Sequence, residues 1–352
     1  MHIRGRRFRV TSVSDSKSIV VATHGHCFDG LCSAVQFTRL MKHLHPGAEL
    51  RFTYHSSGYG PGQNGVDPKL LVGDENAILD FRFSADKALS WYFDHHVSAF
   101  PSAGDRATYD AHVESVKLLG AEMRRMFHDG TYSSCTKLIA DIGARVFGLD
   151  PEPTRELVSW ADMIDSAAFP NAEMAVSRDE AVLQLMTVVE NKGNDAFLQT
   201  MVPRLLTQPL DEVARAADVK AAYEPLRVAH ESFIDLVRAH AQPMDSVVLV
   251  DLTDQVIDVA GKFVTYALYP ESQYSVLVTR GKNKCKLSIG YNPWSPTPRD
   301  HNIAAICERH GGGGHPVVGA ISLTVEQVDR ARTLAREIVA ELRAPETETS
   351  SS

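Results

Sequence analysis

The chain is poor in cysteine: five in 352 residues (Cys27, Cys32, Cys135, Cys285 and Cys307), odd in number and without a C-x-x-C pair. That spacing excludes a disulfide scaffold and a zinc ribbon, and it makes a reducing, cytoplasmic setting the expectation. Long apolar runs are also missing, since none approaches the roughly 18 residues that a bilayer-spanning helix requires. Residues 1–9 are basic, but residues 10–17 are polar where a signal peptide would carry its apolar core. Arg4, Arg6, Arg7 and Arg9 therefore read as a solvated arm, with nucleic-acid contact as the lesser alternative, and residues 345–352, rich in Glu, Thr and Ser, as a solvated tail. Positive charge is in deficit as well: 36 Lys+Arg face 44 Asp+Glu, for a formal net charge of -8. A polyanion meets no globally basic surface on such a chain, so phosphate recognition has to be local or assisted by cations.

What the chain does contain is acid together with imidazole. Fifteen histidines accompany the carboxylates, and those two side-chain types are the ligand set of divalent metals. At 44% hydrophobic and 23% charged residues the chain is neither collagen-like, coiled-coil nor wholly disordered. Its length suggests two domains at about 150 residues each. No internal repeat is visible.

Short apolar runs at residues 18–23, 49–54, 77–79 and 91–93 have the length of buried strands. Helical patterns fall between them at 31–44 and, more briefly, at 86–89, which predicts an α/β fold with an open, mainly parallel sheet. Ligands of such sheets collect beyond the carboxyl ends of the strands. The residues there are His24-Gly25-His26-Cys27-Phe28-Asp29, His55-Ser56-Ser57, Asp80 and Asp94-His95-His96. From 133 to about 240 the pattern is largely helical, with clear periods at 157–164, 180–189 and 214–240, the last expected to break near Pro225. Beyond Gln242-Pro243 the texture turns to strand at 246–252, 274–279 and 284–291, with a hairpin turn at Arg280-Gly281-Lys282-Asn283 and a helix near 302–309. The expected organisation is a catalytic domain at 1–205, a helical linker at 206–243, a smaller mixed α/β domain at 244–343 and the tail.

Each polar cluster has a plain alternative. Asp94-His95-His96 suits a divalent cation such as Mn²⁺ at a strand end, or it is a polar loop with two surface histidines. Asp80 has two oxygens with which to bridge two metals, although an Asp after a strand is commonly a turn former. Asp29 is a metal ligand or caps the helix that follows, in which case His24 and His26 stay unexplained. Asp162 and Asp165 stand three apart at the end of a helical stretch, as ligands or as a solvated helix end. Gly311-Gly312-Gly313-Gly314-His315 exceeds what a helix C-cap needs and lets backbone amides approach a phosphate, or it is a flexible linker. Lys284, Lys286 and Ser288 alternate with Cys285, Leu287 and Ile289, a solvated sheet face or a basic strip for a phosphodiester. Trp294 either stacks on a base or is a buried aromatic.

Taken in order, His24…Asp29-Gly30, Asp80, Asp94-His95-His96, Asp162/Asp165 and Gly311 to His315 resemble the DHH phosphoesterase superfamily with its DHH-associated C-terminal domain, over most of residues 18–342. The resemblance implies a two-domain, Mn²⁺-dependent phosphohydrolase with its active site in the cleft between the domains, with one or two ions and with Mg²⁺ or Co²⁺ as substitutes. Residue by residue it implies His24, Asp29, Asp80, Asp94, His95 and either Asp162 or Asp165 as metal ligands. It places His96 toward the substrate phosphate or the attacking water. Gly312, Gly313, Gly314, His315, Lys284 and Lys286 would hold the phosphate, His315 with a catalytic share. Short oligonucleotides or linear dinucleotides are the expected substrates, with pyrophosphate, polyphosphate or a nucleotide phosphate as alternatives, a non-catalytic nucleotide or RNA sensor as the reading of another class, and a homodimer as a possible assembly. One departure stands out: the family often has two aspartates two residues apart in its first motif, and here Cys27 occupies the position before Phe28-Asp29. A cysteine ligand favours softer metals, and His26 is a further candidate ligand.

Overall fold

The computed structural model describes residues 16–58, 65–257, 261 and 263–344. The arginines of the N-terminal arm and the 345–352 tail lie outside the described residues. The chain divides into two compact units, residues 1–168 with 181–220 and residues 169–180 with 221–352.

The first unit is built on β1 (Ser16–His24), α1 (Phe28–Leu44), β2 (Glu49–Ser57), β3 (Glu75–Leu79), β4 (Trp91–Asp94), α2 (Ala103–Val116), β5 (Met126–His128), α3 (Cys135–Phe147) and α4 (Arg155–Asp165). The short α5 (Ala172–Ser177) belongs to the second unit, after which α6 (Ala181–Lys192), α7 (Asp195–Thr207) and α8 (Leu210–Ala214) return to the first. Its five strands are all parallel, in the order β2-β1-β3-β4-β5. Ile19 to Thr23 are buried because a parallel strand is covered on both faces, which is why β1 reads as a continuous apolar run. The register aligns Thr23 with Leu79, Leu79 with Phe93 and Asp94 with His128, so His24, Asp80 and Asp94 leave the sheet at one edge. The order reverses between β1 and β3, the place where open sheets of this order receive ligands. Tyr92 packs among Phe83, Phe100 and Tyr109 on one face of the sheet, while Trp91 and Phe93 meet Phe37 on the other.

Helix α1 is buried nearly all round, with Leu31, Cys32, Val35, Phe37, Leu40 and Met41 inaccessible and α3, α4 and α7 packed against it. Gly30 lets its first turn close on β1, since a Cβ there would run into the His24 carbonyl oxygen.

The long α9 (Ala217–His240) begins in the first unit and ends in the second. The second unit holds β6 (Ala241–Met244), β7 (Val247–Val256), α10 (Val264–Leu268), β8 (Tyr274–Arg280), β9 (Cys285–Tyr291), α11 (Ile303–Arg309), β10 (Gly313–His315), β11 (Val318–Leu323) and α12 (Val328–Arg343). Its sheet runs β10-β11-β9-β8-β7-β6, antiparallel except for the β7–β8 pair. One face carries α11 and the apolar stripe Ala331, Leu334, Ala335, Ile338, Val339 and Leu342 of α12. Against the other lie Val176, Phe233, Val237 and Val264.

Three local expectations are corrected. Residues 86–89 form a single turn closed by the Asp86 carboxylate and carbonyl, because four residues with an Asx acceptor at their start need no helix. Pro225 sits inside α9 without ending it, since one missing N–H costs a hydrogen bond that packing of the remaining turns outweighs. Lys284 lies in the turn before β9, where its carbonyl accepts the Gly281 N–H; only Lys286 and Ser288 alternate with buried Cys285, Leu287 and Ile289.

Candidate metal centre

The carboxyl edge of the first unit's sheet gathers three sets of donor atoms, each set lying within 4.8 Å of one another: His24, Cys27 and Asp80; Asp80, His95 and His96; and Asp29, His95 and Asp165. Asp80 and His95 are each shared by two sets, so the donors form one continuous constellation.

Asp80 is its centre. It is 1% exposed, takes a left-handed backbone conformation with φ 53°, and neither carboxylate oxygen has a hydrogen-bond partner. Around it stand His24 Nδ1 at 3.8 Å, His95 Nε2 at 3.5 Å and His96 Nδ1 at 3.7 Å. Burial pushes its carboxyl well above the usual range, and the charges of Asp29 and Asp165 push it further. A strained, crowded carboxylate whose two oxygens lack hydrogen-bond partners has the character of a cation ligand.

His95 is held for the same task. Its Nδ1 lies 3.1 Å from the Tyr132 carbonyl, which fixes the tautomer that leaves Nε2 as acceptor. That Nε2 is buried without a hydrogen-bond partner, 3.3 Å from Asp165 and 3.5 Å from Asp80. Asp29, 1% exposed, receives the Cys135 and Thr136 amides at 2.7 and 3.0 Å, so it sits on the N-terminus of α3 rather than capping its own helix. Burial raises its carboxyl, and the Thr136 and Cys135 hydrogen bonds together with His95 oppose that rise.

Asp94 and His96 play a different part. Asp94 is fully buried and accepts from the His95 amide (2.8 Å), the His96 amide (3.2 Å) and Tyr92 Oη (3.0 Å), and it pairs with His96 Nδ1 at 2.7 Å. The Asp94 hydrogen bond raises the His96 imidazole pKa against the effect of burial. Among the described residues Asp94 belongs to none of the three donor sets; its oxygens shape the loop that carries both histidines. His24 stacks on Phe81 at 5.8 Å, and burial and the neighbouring His96 lower its pKa.

Asp162 and Asp165 part company at the end of α4. Asp165 faces His95, whereas Asp162 accepts from Ser133, Ser134 and Lys137 at the start of α3. The structure therefore sets Asp162 apart from the donor sets, because a side chain one turn back along the helix reaches a different neighbour. His26, at φ 54°, turns its Nδ1 to the Glu190 carbonyl at 3.2 Å and joins no set, and His55 and the Ser56 amide are engaged by Asp195 of α7. Tyr92 and Tyr132 went unread in the sequence. Tyr92 carried a signal, two residues before Asp94 on the same strand face; a backbone carbonyl such as that of Tyr132 carries none.

The second unit contains the glycine block. Gly311 has φ 75° after α11; at Gly312 and Gly314 a Cβ would strike the Ala320 and Val318 carbonyls of β11; only Gly313 faces open space without a positive φ. Three of the four glycines are thus accounted for by the turn after α11 and by close strand pairing at the edge of the sheet, and His315 beyond them is exposed. Trp294 donates its indole N–H to the Phe169 carbonyl at 2.7 Å and packs edge-on against Phe263. Among the described residues no helix is long and apolar enough to cross a membrane.

The donor set fits a divalent-metal centre: carboxylates and imidazoles converge, and three buried donor atoms lack hydrogen-bond partners. The fold is that of the DHH phosphoesterases. The chain is similar to the pGpG-specific phosphodiesterase PggH from Vibrio cholerae, at 21% identity over 92% of this chain and 99% of that one, with a TM-score of 0.63. It also resembles the DHH domain of a member of a family of ribosomal proteins, at 13% identity and a TM-score of 0.56 over 93% and 88% of the two chains. A third similar structure is the exonuclease RecJ in complex with Mn²⁺ from Thermus thermophilus, at 13% identity and a TM-score of 0.51, over 94% of this chain and 53% of that one. No protein-family model matches the chain, and no curated protein does.

Proposed function

We propose that the protein is a metal-dependent phosphohydrolase acting on phosphodiester bonds of short oligonucleotides or linear dinucleotides, with Mn²⁺ as its working ion. The observation that carries this reading is the pair of orphaned oxygens on buried Asp80, ringed by three imidazoles. Asp80, His24, Asp29, His95 and Asp165 are the residues that would hold the cations. Divalent cations bound there supply Lewis acidity and make water nucleophilic at neutral pH. Asp94 holds His96 through Nδ1, so Nε2 is the nitrogen that His96 presents to a phosphate oxygen. In the second unit Gly312, Gly313, Gly314 and His315, with Lys284 and Lys286, are assigned to the phosphate; the exposed edge at Gly313 to His315 supports that assignment. A dinucleotide substrate is favoured by the fold shared with a pGpG-specific phosphodiesterase over nearly its whole length. The five unpaired cysteines favour a reducing compartment, the cytoplasm.

A panel of linear diribonucleotide, phosphoadenosine phosphate, cyclic dinucleotide and polyphosphate, each with Mn²⁺, tests the reading. The expected result is fastest turnover of the linear diribonucleotide. Preference for polyphosphate would replace the substrate and keep the chemistry; binding without turnover of any of the four would contradict an enzyme.

A further inference from the structure

The two halves of the centre are chemically unequal. On one side Asp29, His95 and Asp165 offer oxygen and nitrogen alone; on the other, Cys27 Sγ comes within 4.8 Å of donor atoms of both His24 and Asp80. We propose that Cys27 is a metal ligand, and that His24, Cys27 and Asp80 form a half-site for a thiophilic divalent cation such as Zn²⁺ or Co²⁺, beside a second half-site of Mn²⁺ type.

This inference rests on the metal-dependent reading above and deepens it. Sulfur does not stand alone here, because the Asp80 oxygens beside it are buried and without hydrogen-bond partners. Cys27 is the residue that opens α1, and its side chain caps no amide of that helix, so the sulfur has no competing structural duty there. Burial and the charges of Asp80 and Asp29 push the free thiol up, so the thiolate forms together with the bound cation rather than ahead of it. The N-terminal end of a seventeen-residue helix favours the sulfur's anionic form. Ligation breaks the S–H bond, sends the proton to solvent and forms a metal–sulfur bond; no oxidant or reductant is needed. Bonds of about 2.0–2.3 Å to N, O and S in a tetrahedral site separate ligand atoms by roughly 3.5 Å, a small contraction of the present set. Thiolate and imidazole select Zn²⁺ or Co²⁺ over Mn²⁺, whereas carboxylate-rich sites accept Mn²⁺.

The test is optical and needs no substrate. Chelator-stripped protein is titrated with Co²⁺, and the near-ultraviolet thiolate-to-cobalt charge-transfer band is followed alongside metal content and circular dichroism. The expected result is a band that saturates with one ion, is lost in Cys27→Ser and Cys27→Asp at unchanged circular dichroism, and is accompanied in Cys27→Asp by a fall in Zn²⁺-over-Mn²⁺ preference of about tenfold or more. Stoichiometric Co²⁺ uptake without the band, or a band that survives Cys27→Ser, overturns the ligand assignment and leaves the hydrolase reading standing. No Co²⁺ uptake overturns both. A saturating band in a protein that hydrolyses no phosphoester upholds the half-site and fails the hydrolase.

Discussion

A buried carboxylate with nothing bonded to it is expensive, and Asp80 is such a group. Its neighbours compound the cost, since Asp29 and Asp165 add to the upward push of burial on its carboxyl. The expected outcome of Asp80→Asn is therefore a split: the chelator-stripped variant unfolds at a temperature equal to or above that of the stripped wild type, while the rise in midpoint that Mn²⁺ gives the wild type is lost. Thermal unfolding with and without Mn²⁺ checks both halves. Asp94 acts one layer out, through His95 and His96, so Asp94→Asn is expected to lower metal affinity or turnover by roughly 10–100-fold without unfolding the protein. Calorimetric titration with Mn²⁺ reads it. At this scale the sequence was informative where a residue ended an apolar run, as Asp80 and Asp94 do. It was silent on which of Asp162 and Asp165 turns toward the centre, because both stand on one helix and only the packing of α4 beside α3 separates them.

The elements that deliver these residues depend on close approaches. Gly30→Ala is expected to cost about 1–3 kcal/mol or more, because the clash is with the His24 backbone and the strand end must shift; denaturant unfolding measures it. The glycine block gives a paired contrast. Gly312→Ala is expected to destabilise the second unit, whereas Gly313→Ala, which meets open space, leaves stability unchanged and raises KM if the edge holds phosphate. Helix α3 is pinned to α4 by Asp162. Burial would raise that carboxyl, but hydrogen bonds from Ser133, Lys137 and Ser134 bring it below its usual value. A depressed folded pKa contributes stability that is present above the unfolded pKa near 3.9 and is lost as pH falls through the folded value. Asp162→Asn is thus expected to lower stability at neutral pH and to make little difference at the acid end of a pH series. Strands β1, β3 and β4 were legible because buried parallel strands are plain apolar runs. The short β5 and the 86–89 turn were not, since three or four residues carry too little period, and nothing in the sequence reveals that Val318 and Ala320 of β11 press against the glycine block.

Over the whole molecule the acidity that first argued against a phosphate substrate is partly concentrated at one sheet edge. Asp29, Asp80 and Asp165 stand within one neighbourhood, so on the metal-dependent reading a substrate would meet carboxylates plus cations there rather than the formal -8 of the chain. That residues 169–180 belong to the second unit was not legible in the sequence, because α5 is too short to announce its partners. The account's central claim is that the strand-end constellation hydrolyses phosphodiesters through bound metal. Its most direct test is turnover of a linear diribonucleotide by chelator-stripped protein, measured side by side for the wild type and Asp80→Asn before and after Mn²⁺ is restored. The account predicts no turnover by either stripped protein and recovery with Mn²⁺ in the wild type alone; full turnover without metal, or equal recovery in Asp80→Asn, would contradict it.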